Sequence, residues 1–186
     1  MEDTRIIDLY WARNEDAITQ TAAKYGGYCR SISYNILYSE EDAEECVSDT
    51  YMNAWNAMPP QRPGCLSAFL GRITRNISLN RYKQYHAEKR GGGQVALALS
   101  ELEDCIPAAT TVEQVLEEKL LAQSINRFLH MQPERKRNVF IRRYWYMDPV
   151  DRIAKAYGMT RSNTASVLYR MRCDLKTHLE KEGIIQ

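Results

Sequence analysis

Residues 148–176 confine this chain more tightly than any other stretch. Asp148-Pro149 opens a short helix that ends near Tyr157-Gly158. Asp148 is placed to cap it, and Pro149 suits its first position, where an N–H would find no helical partner. Gly158 fits the left-handed residue that commonly ends a helix. Met159-Thr160 then makes a tight turn, and Thr160 can cap a second, longer helix. Val150, Ile153, Ala154 and Tyr157 give the first helix an inner face. On the second, Thr164, Leu168, Met171 and Leu175 recur at helical spacing and so face the first. This is the pattern of a helix-turn-helix. Arg161, Ser162, Asn163, Ala165, Ser166 and Tyr169 populate the start and outer side of the second helix and are candidates for a DNA major groove. Arg170, Arg172 and Lys176 suit phosphates or acids of the same domain. An isolated helical hairpin would share the spacing, but the glycine turn, the two caps and the polar outer face together favour duplex binding. Arg161 is the one arginine at the head of that face, so a second surface or partner is expected to supply further affinity.

Helical periodicity extends upstream. A helix is expected from about Glu15 to Leu37, with Ala22, Tyr25, Cys29, Ile32 and Ile36 on its apolar side. Ser39, with Asp42 three residues on, resembles a capping box. The helix it opens runs to about Met58 and buries Ala43, Cys46, Val47, Thr50, Tyr51, Ala54 and Met58. Pro59-Pro60 stops it. A third helix spans about Leu66 to Lys89, with Leu66, Leu70, Ile73, Ile77 and Leu79 or Asn80 inward. Gly91-Gly92-Gly93 breaks the pattern, since three glycines carry a large entropic cost in a helix. Residues 94–111 read as a linker with at most a weak helical turn. Between Gln94 and Glu118 every charged residue is acidic; this serves either solubility or passage across a basic partner surface. A helix then begins near Val112, and another follows Gln132-Pro133 with Val139, Phe140, Tyr144 and Trp145 as anchors. The expected fold is all-α: two small helical domains, residues 1–93 and 112–186, joined by a flexible acidic linker over 94–111.

Charge is segregated although the formal total is only +1. Glu40, Glu41, Asp42, Glu44, Glu45 and Asp49 crowd the second helix. The helix dipole accounts for the first of them. The remainder, with Met52 and Trp55, form either a protein-docking face or a solvated acidic face with Trp55 packed into its own domain. The third helix and the loop before it have the opposite sign: Arg62, Arg72, Arg75, Arg81, Lys83, Lys89 and Arg90, interleaved with Phe69, Tyr82 and Tyr85. Asn76 and Asn80 add amides. Cations for phosphates, rings for stacking and amides for base edges suit opened or single-stranded DNA; the plain alternative is an amphipathic helix with Phe69 in the core. Arg135, Lys136, Arg137, Arg142 and Arg143 lie just ahead of the helix-turn-helix and either grip duplex backbone or form an exposed basic face.

Chemistry by the chain itself is not expected. His86, His130 and His178 have no ligand-like spacing, and the triple glycine lacks the lysine that follows in a phosphate-binding loop. Neither cofactor nor metal is implied. Five dispersed cysteines, Cys29, Cys46, Cys65, Cys105 and Cys173, fit a reducing compartment better than a disulfide framework. The acidic N-terminus is no secretory signal, and no stretch is long and apolar enough to span a bilayer, so a cytoplasmic location without membrane insertion is expected.

These stretches together resemble a bacterial RNA polymerase sigma factor of the sigma-70 family, extracytoplasmic-function group. The likeness rests on residues 39–55 and 68–81 in the first half, and on 132–140, 151–154 and 158–175 in the second. It implies that Glu41 to Trp55 dock on the clamp helices of core RNA polymerase, with Glu41, Asp42, Glu45, Asp49, Met52 and Trp55 as contacts. It implies that Phe69 to Arg81 meet the −10 promoter element, with the loop from Pro59 to Ser67 near an extruded base. Arg62, Arg72, Arg75, Asn76, Asn80, Arg81 and Tyr82 are the candidates there. The helix-turn-helix would read the −35 element through Arg161, Ser162, Asn163, Ala165, Ser166, Tyr169, Arg170 and Arg172, and its domain would touch the polymerase flap. An anti-sigma partner is compatible with these exposed surfaces. Asn80, Ala165 and Val167 depart from residues common in the family, which alters base and phosphate readout rather than fold. The competing expectation is a conventional helix-turn-helix regulator whose first domain dimerises or senses a ligand.

Overall fold

A computed structural model of the chain describes residues 1–86, 94–103 and 114–185. The helices are α1 (Asp3–Trp11), α2 (Asp16–Leu37), α3 (Glu40–Ala57), α4 (Leu66–His86), α5 (Gln94–Glu103), α6 (Gln114–Met131), α7 (Glu134–Tyr144), α8 (Val150–Ala156) and α9 (Arg161–Lys181). The chain divides into two units, Met1–Gly91 and Gly92–Gln186. The all-α, two-domain expectation holds. The triple glycine and residues 104–111 lie outside the described residues, as do the basic Lys89 and Arg90.

In the first unit α2, α3 and α4 pack on one another, and α1 lies against α2. Ile6, Ile7 and Tyr10 of α1 are buried among Ala17, Cys29, Ala54, Met58, Leu66, Phe69 and Leu70. α1 adds to the helices expected from sequence; its apolar residues stand three and four apart. Ser39 caps α3 as expected, accepting from the Asp42 N–H at 3.2 Å. The middle of the bundle differs in part from expectation. Thr50 is fully buried as expected, but so are Thr74, Ser78 and Ser33, whereas Val47, Tyr51 and Ile77 are only partly so and Ala22 is exposed. The Thr50 and Thr74 hydroxyls lie 3.0 Å apart, and Ser78 Oγ lies 2.9 Å from Ser33 Oγ. Each threonine also sits within hydrogen-bonding distance of a carbonyl four residues back, Cys46 and Leu70. A small hydroxyl satisfied by its own helix can be buried at little cost and lets helices approach closely.

In the second unit α9 packs against α6, α7 and α8. Thr164, Leu168, Met171, Leu175 and Leu179 form its inner seam, the first four as expected. Residues 94–103, read from sequence as linker, instead form α5, which packs on α7 with Val95 and Ala98 buried. Trp145, expected as an anchor, is 36% exposed. It follows the buried Val139, Phe140 and Tyr144 and lies past the last turn of α7.

Candidate nucleic-acid interface

The acidic face of α3 is partly turned toward its own domain. Asp42, Glu45 and Asp49 stand three and four residues apart, so they share one side of α3. All three converge on Arg81 of α4: its guanidinium donates to Glu45 at 2.7 Å and Asp42 at 3.3 Å, and lies 3.8 Å from Asp49. Tyr85, one turn beyond Arg81, donates to the same Asp42 oxygen at 3.0 Å. Burial pushes the Asp42 pKa up, but the Ser39, Tyr85 and Arg81 interactions outweigh it and hold the carboxyl below its ordinary value. The Arg81 hydrogen bond does the same for Glu45. Candidate polymerase contacts and a candidate −10 contact therefore share one network. Glu41 and Met52 remain exposed, Met52 at 56%. Trp55 is partly buried, edge-on to Tyr10 at 6.1 Å and beneath Arg13, whose guanidinium also donates to the Trp55 carbonyl at 2.8 Å.

On α4 the exposed Arg72, Asn76, Asn80 and Lys83 form a continuous stripe, as residues three and four apart must. Arg75 is half-buried, and burial lowers its pKa. Tyr82 is also half-buried, while Phe69 sits in the core. Arg62, in the loop before α4, pairs with Asp8 and stacks over Trp11 of α1 with 5.6 Å between Arg62 Cζ and the ring centre. The sequence stripe is thus sorted by structure: some members face outward and others brace the bundle.

The helix-turn-helix is formed by α8 and α9. Gly158 has φ +59, the left-handed conformation anticipated for it. Thr160 caps α9, accepting from the Asn163 N–H at 3.1 Å. Asp148 does not cap α8; Pro149 holds that position. Asp148 is buried instead, accepting from Arg142 at 2.8 Å and Arg152 at 3.4 Å. Arg135 donates to the Tyr157 carbonyl at 2.5 Å, closing the end of α8. Arg143 is wholly buried. Of the basic group expected either to grip duplex backbone or to form an exposed face, Arg143 is taken into the domain, Arg135 and Arg142 make contacts within it while staying exposed, and Lys136 is exposed.

Arg161, Ser162, Asn163, Ala165, Tyr169 and Arg170 are exposed along α9, and Ser166 is partly so. Arg161 lies 3.3 Å from Asp151 of α8, an exposed pair that orients the side chain at little energetic gain. Arg172 behaves differently. It donates to Glu101 of α5 at 3.3 Å and to the Tyr144 hydroxyl at 2.6 Å. The Tyr144 hydroxyl donates in turn to Glu101 at 2.9 Å, and Arg143 donates to the same carboxylate at 3.2 Å. Burial, then the nearby Glu101 charge, raise the Tyr144 pKa. Glu101 was visible in the sequence only as one of several linker acids; nothing local identifies its partners on α7 and α9.

Among the described residues no group of three His, Cys, Asp or Glu is arranged to hold a metal, and no helix is long and apolar enough to cross a membrane. No curated protein matches the chain. The family model for sigma-70 region 2 matches residues 21–88, the segment that contains most of α2 and the whole of α3 and α4. Proteins of that family are non-catalytic transcription factors. A region 2 domain implies an interaction with core RNA polymerase. The three-helix bundle carrying the acidic and basic faces is thus a sigma-70 region 2 domain, consistent with a sigma-70 family sigma factor and a role in transcription initiation.

Proposed function

We propose that the chain is a sigma factor of the extracytoplasmic-function group, which binds core RNA polymerase, directs it to promoters and helps open the −10 element. The coincidence of the region 2 match with the α2–α4 bundle carries this reading. In it, α3 meets the polymerase clamp helices through Glu41, Met52 and the outer edge of the Asp42–Glu45–Asp49 cluster. The stripe Arg72, Asn76 and Asn80, with Arg62 from the preceding loop, holds the melted strand: cations meet phosphates and amides meet base edges. Arg75 and Tyr82, both half-buried, border that stripe. The α9 face from Arg161 to Arg170 enters the major groove of the −35 element, and the second unit meets the polymerase flap. The polymerase performs nucleotidyl transfer, while the sigma chain supplies position and strand capture. Occupying both DNA sites through one chain raises the effective concentration of each for the other.

Transcription in vitro from a randomised promoter library, with core polymerase and this chain, tests the proposal. Transcripts should come from a subset sharing two separated elements. Failure of the chain to associate with core in a pull-down, or transcripts no more selective than those of core alone, would refute it.

A further inference from the structure

The Glu101 carboxylate ties three helices of the second unit together, and one of the tied groups belongs to the candidate DNA-reading helix. Arg172 follows Arg161 by three turns of about 3.6 residues each, so the two lie along one edge of α9. They differ sharply in exposure: the Arg161 side chain is 71% exposed and that of Arg172 only 17%. Yet Arg172 sits at the border of the outer face, with its Cζ 5.8 Å from the ring centre of Tyr169, which is 61% exposed. Two groups hold it inward: the Tyr144 hydroxyl of α7 at 2.6 Å, itself bonded to Glu101, and the Glu101 charge from α5, whose hold on the domain includes the buried Val95 and Ala98. A guanidinium paired with a carboxylate cannot also neutralise a phosphate without giving up that pair.

We propose that Glu101 is a positioning residue that sets the phosphate-binding reach of α9 by drawing Arg172 into the domain. While α5 is seated, the DNA face is limited to the arginines at its start and centre. When Glu101 is withdrawn, Arg172 swings past Tyr169 and adds a backbone contact about three turns from Arg161. The inference rests on the reading of α9 as the DNA-facing helix, but not on the identity of the promoter.

The test uses the full chain and a random-sequence duplex, with affinity measured across a salt series. Each phosphate neutralised steepens the dependence of log affinity on log salt by about 0.9. Glu101→Gln should steepen the slope by that amount, equivalent to a three- to fourfold change in relative affinity over a fourfold span of salt. Arg172→Gln alone should leave the slope as in the unaltered chain, whereas adding Arg172→Gln to Glu101→Gln should cancel the gain. A merely structural role for Glu101 would weaken binding without steepening the slope. Ala98→Glu, which places a carboxylate at the buried side of α5, provides a second route to release and should steepen the slope likewise. An unchanged slope in both Glu101→Gln and Ala98→Glu, with hydrogen exchange showing α5 displaced, would overturn the proposal. So would a steeper slope that survives loss of Arg172, or absence of duplex binding by all variants at low salt. If promoter-specific transcription fails while the slopes behave as expected, the sigma reading fails and this inference stands.

Discussion

Arg81 shows how a side chain of the basic stripe can be taken up by the acidic face of the neighbouring helix. It braces α4 against α3 through Asp42 and Glu45, while Asn80 immediately before it and Asn76 five residues back face outward. Neutralising it should therefore loosen the bundle and, on the proposed reading, disturb the adjoining outward stripe of α4. Arg81→Gln is expected to cost the first unit about 1 kcal/mol at neutral pH, the range of a largely surface-lying charge network. The contribution has a pH signature. The folded-state pKa values of Asp42 and Glu45 are depressed, so the stability they confer is present above the ordinary carboxylate pKa of about 4 and disappears as pH falls through the folded values. Thermal melts of the two proteins should differ at neutral pH and converge once the pH falls below the depressed folded-state values of these carboxylates. A gap that persists undiminished in acid would show that Arg81 acts through packing rather than through these carboxylates.

The helices were unequally legible in the sequence, and the turn between α8 and α9 was the clearest part. Its determinants are local: Gly158 relieves a left-handed backbone, and Thr160 satisfies the Asn163 N–H. Thr160→Ala should cost about 1 kcal/mol, the usual value of a helix cap. Gly158→Ala should cost a similar amount, about 1 kcal/mol, because a Cβ disfavours positive φ. Denaturant unfolding can measure both, with hydrogen exchange expected to place the loss in α8 and α9; loss confined to the first unit would contradict the assignment. Where the determinants are non-local, sequence reasoning failed for a consistent reason. Thr74 and Ser78 were not among the positions expected to face inward on α4, yet they are buried because their hydroxyls find carbonyls on their own helix and hydroxyls on neighbouring ones. Arg143 looked like a phosphate ligand and is wholly buried because Glu101, forty-two positions away, answers its charge. The site was legible to the same degree. The outward residues of α4 and α9 follow from helical spacing, whereas the inward pairing of Arg81 and Arg172 depends on which helix lies opposite.

At the scale of the whole chain, two units with separate cores carry separate candidate surfaces, so substitutions outside both cores should separate polymerase docking from DNA reading. Glu41 is exposed at the first turn of α3, and Glu41→Arg reverses its charge without removing the Ser39 cap or the Arg81 pairings. If α3 docks on a basic polymerase surface, this variant should weaken association with core roughly tenfold, about 1.4 kcal/mol. Its affinity for isolated duplex DNA should stay unchanged. Arg161→Ala should produce the reverse pattern: near-normal core association, with discrimination at one position of the −35 element reduced by about 1–3 kcal/mol, the range of a good bidentate base contact. Sites separated in this way should contribute additively, so the double variant's promoter-dependent transcription should fall by about the product of the two single effects. Circular dichroism matching the unaltered chain would establish that both variants are folded. If Glu41→Arg instead impairs duplex binding, or Arg161→Ala impairs core association, the two surfaces are not independent. The division of labour between a region 2 bundle and a helix-turn-helix would then have to be replaced by a single composite interface.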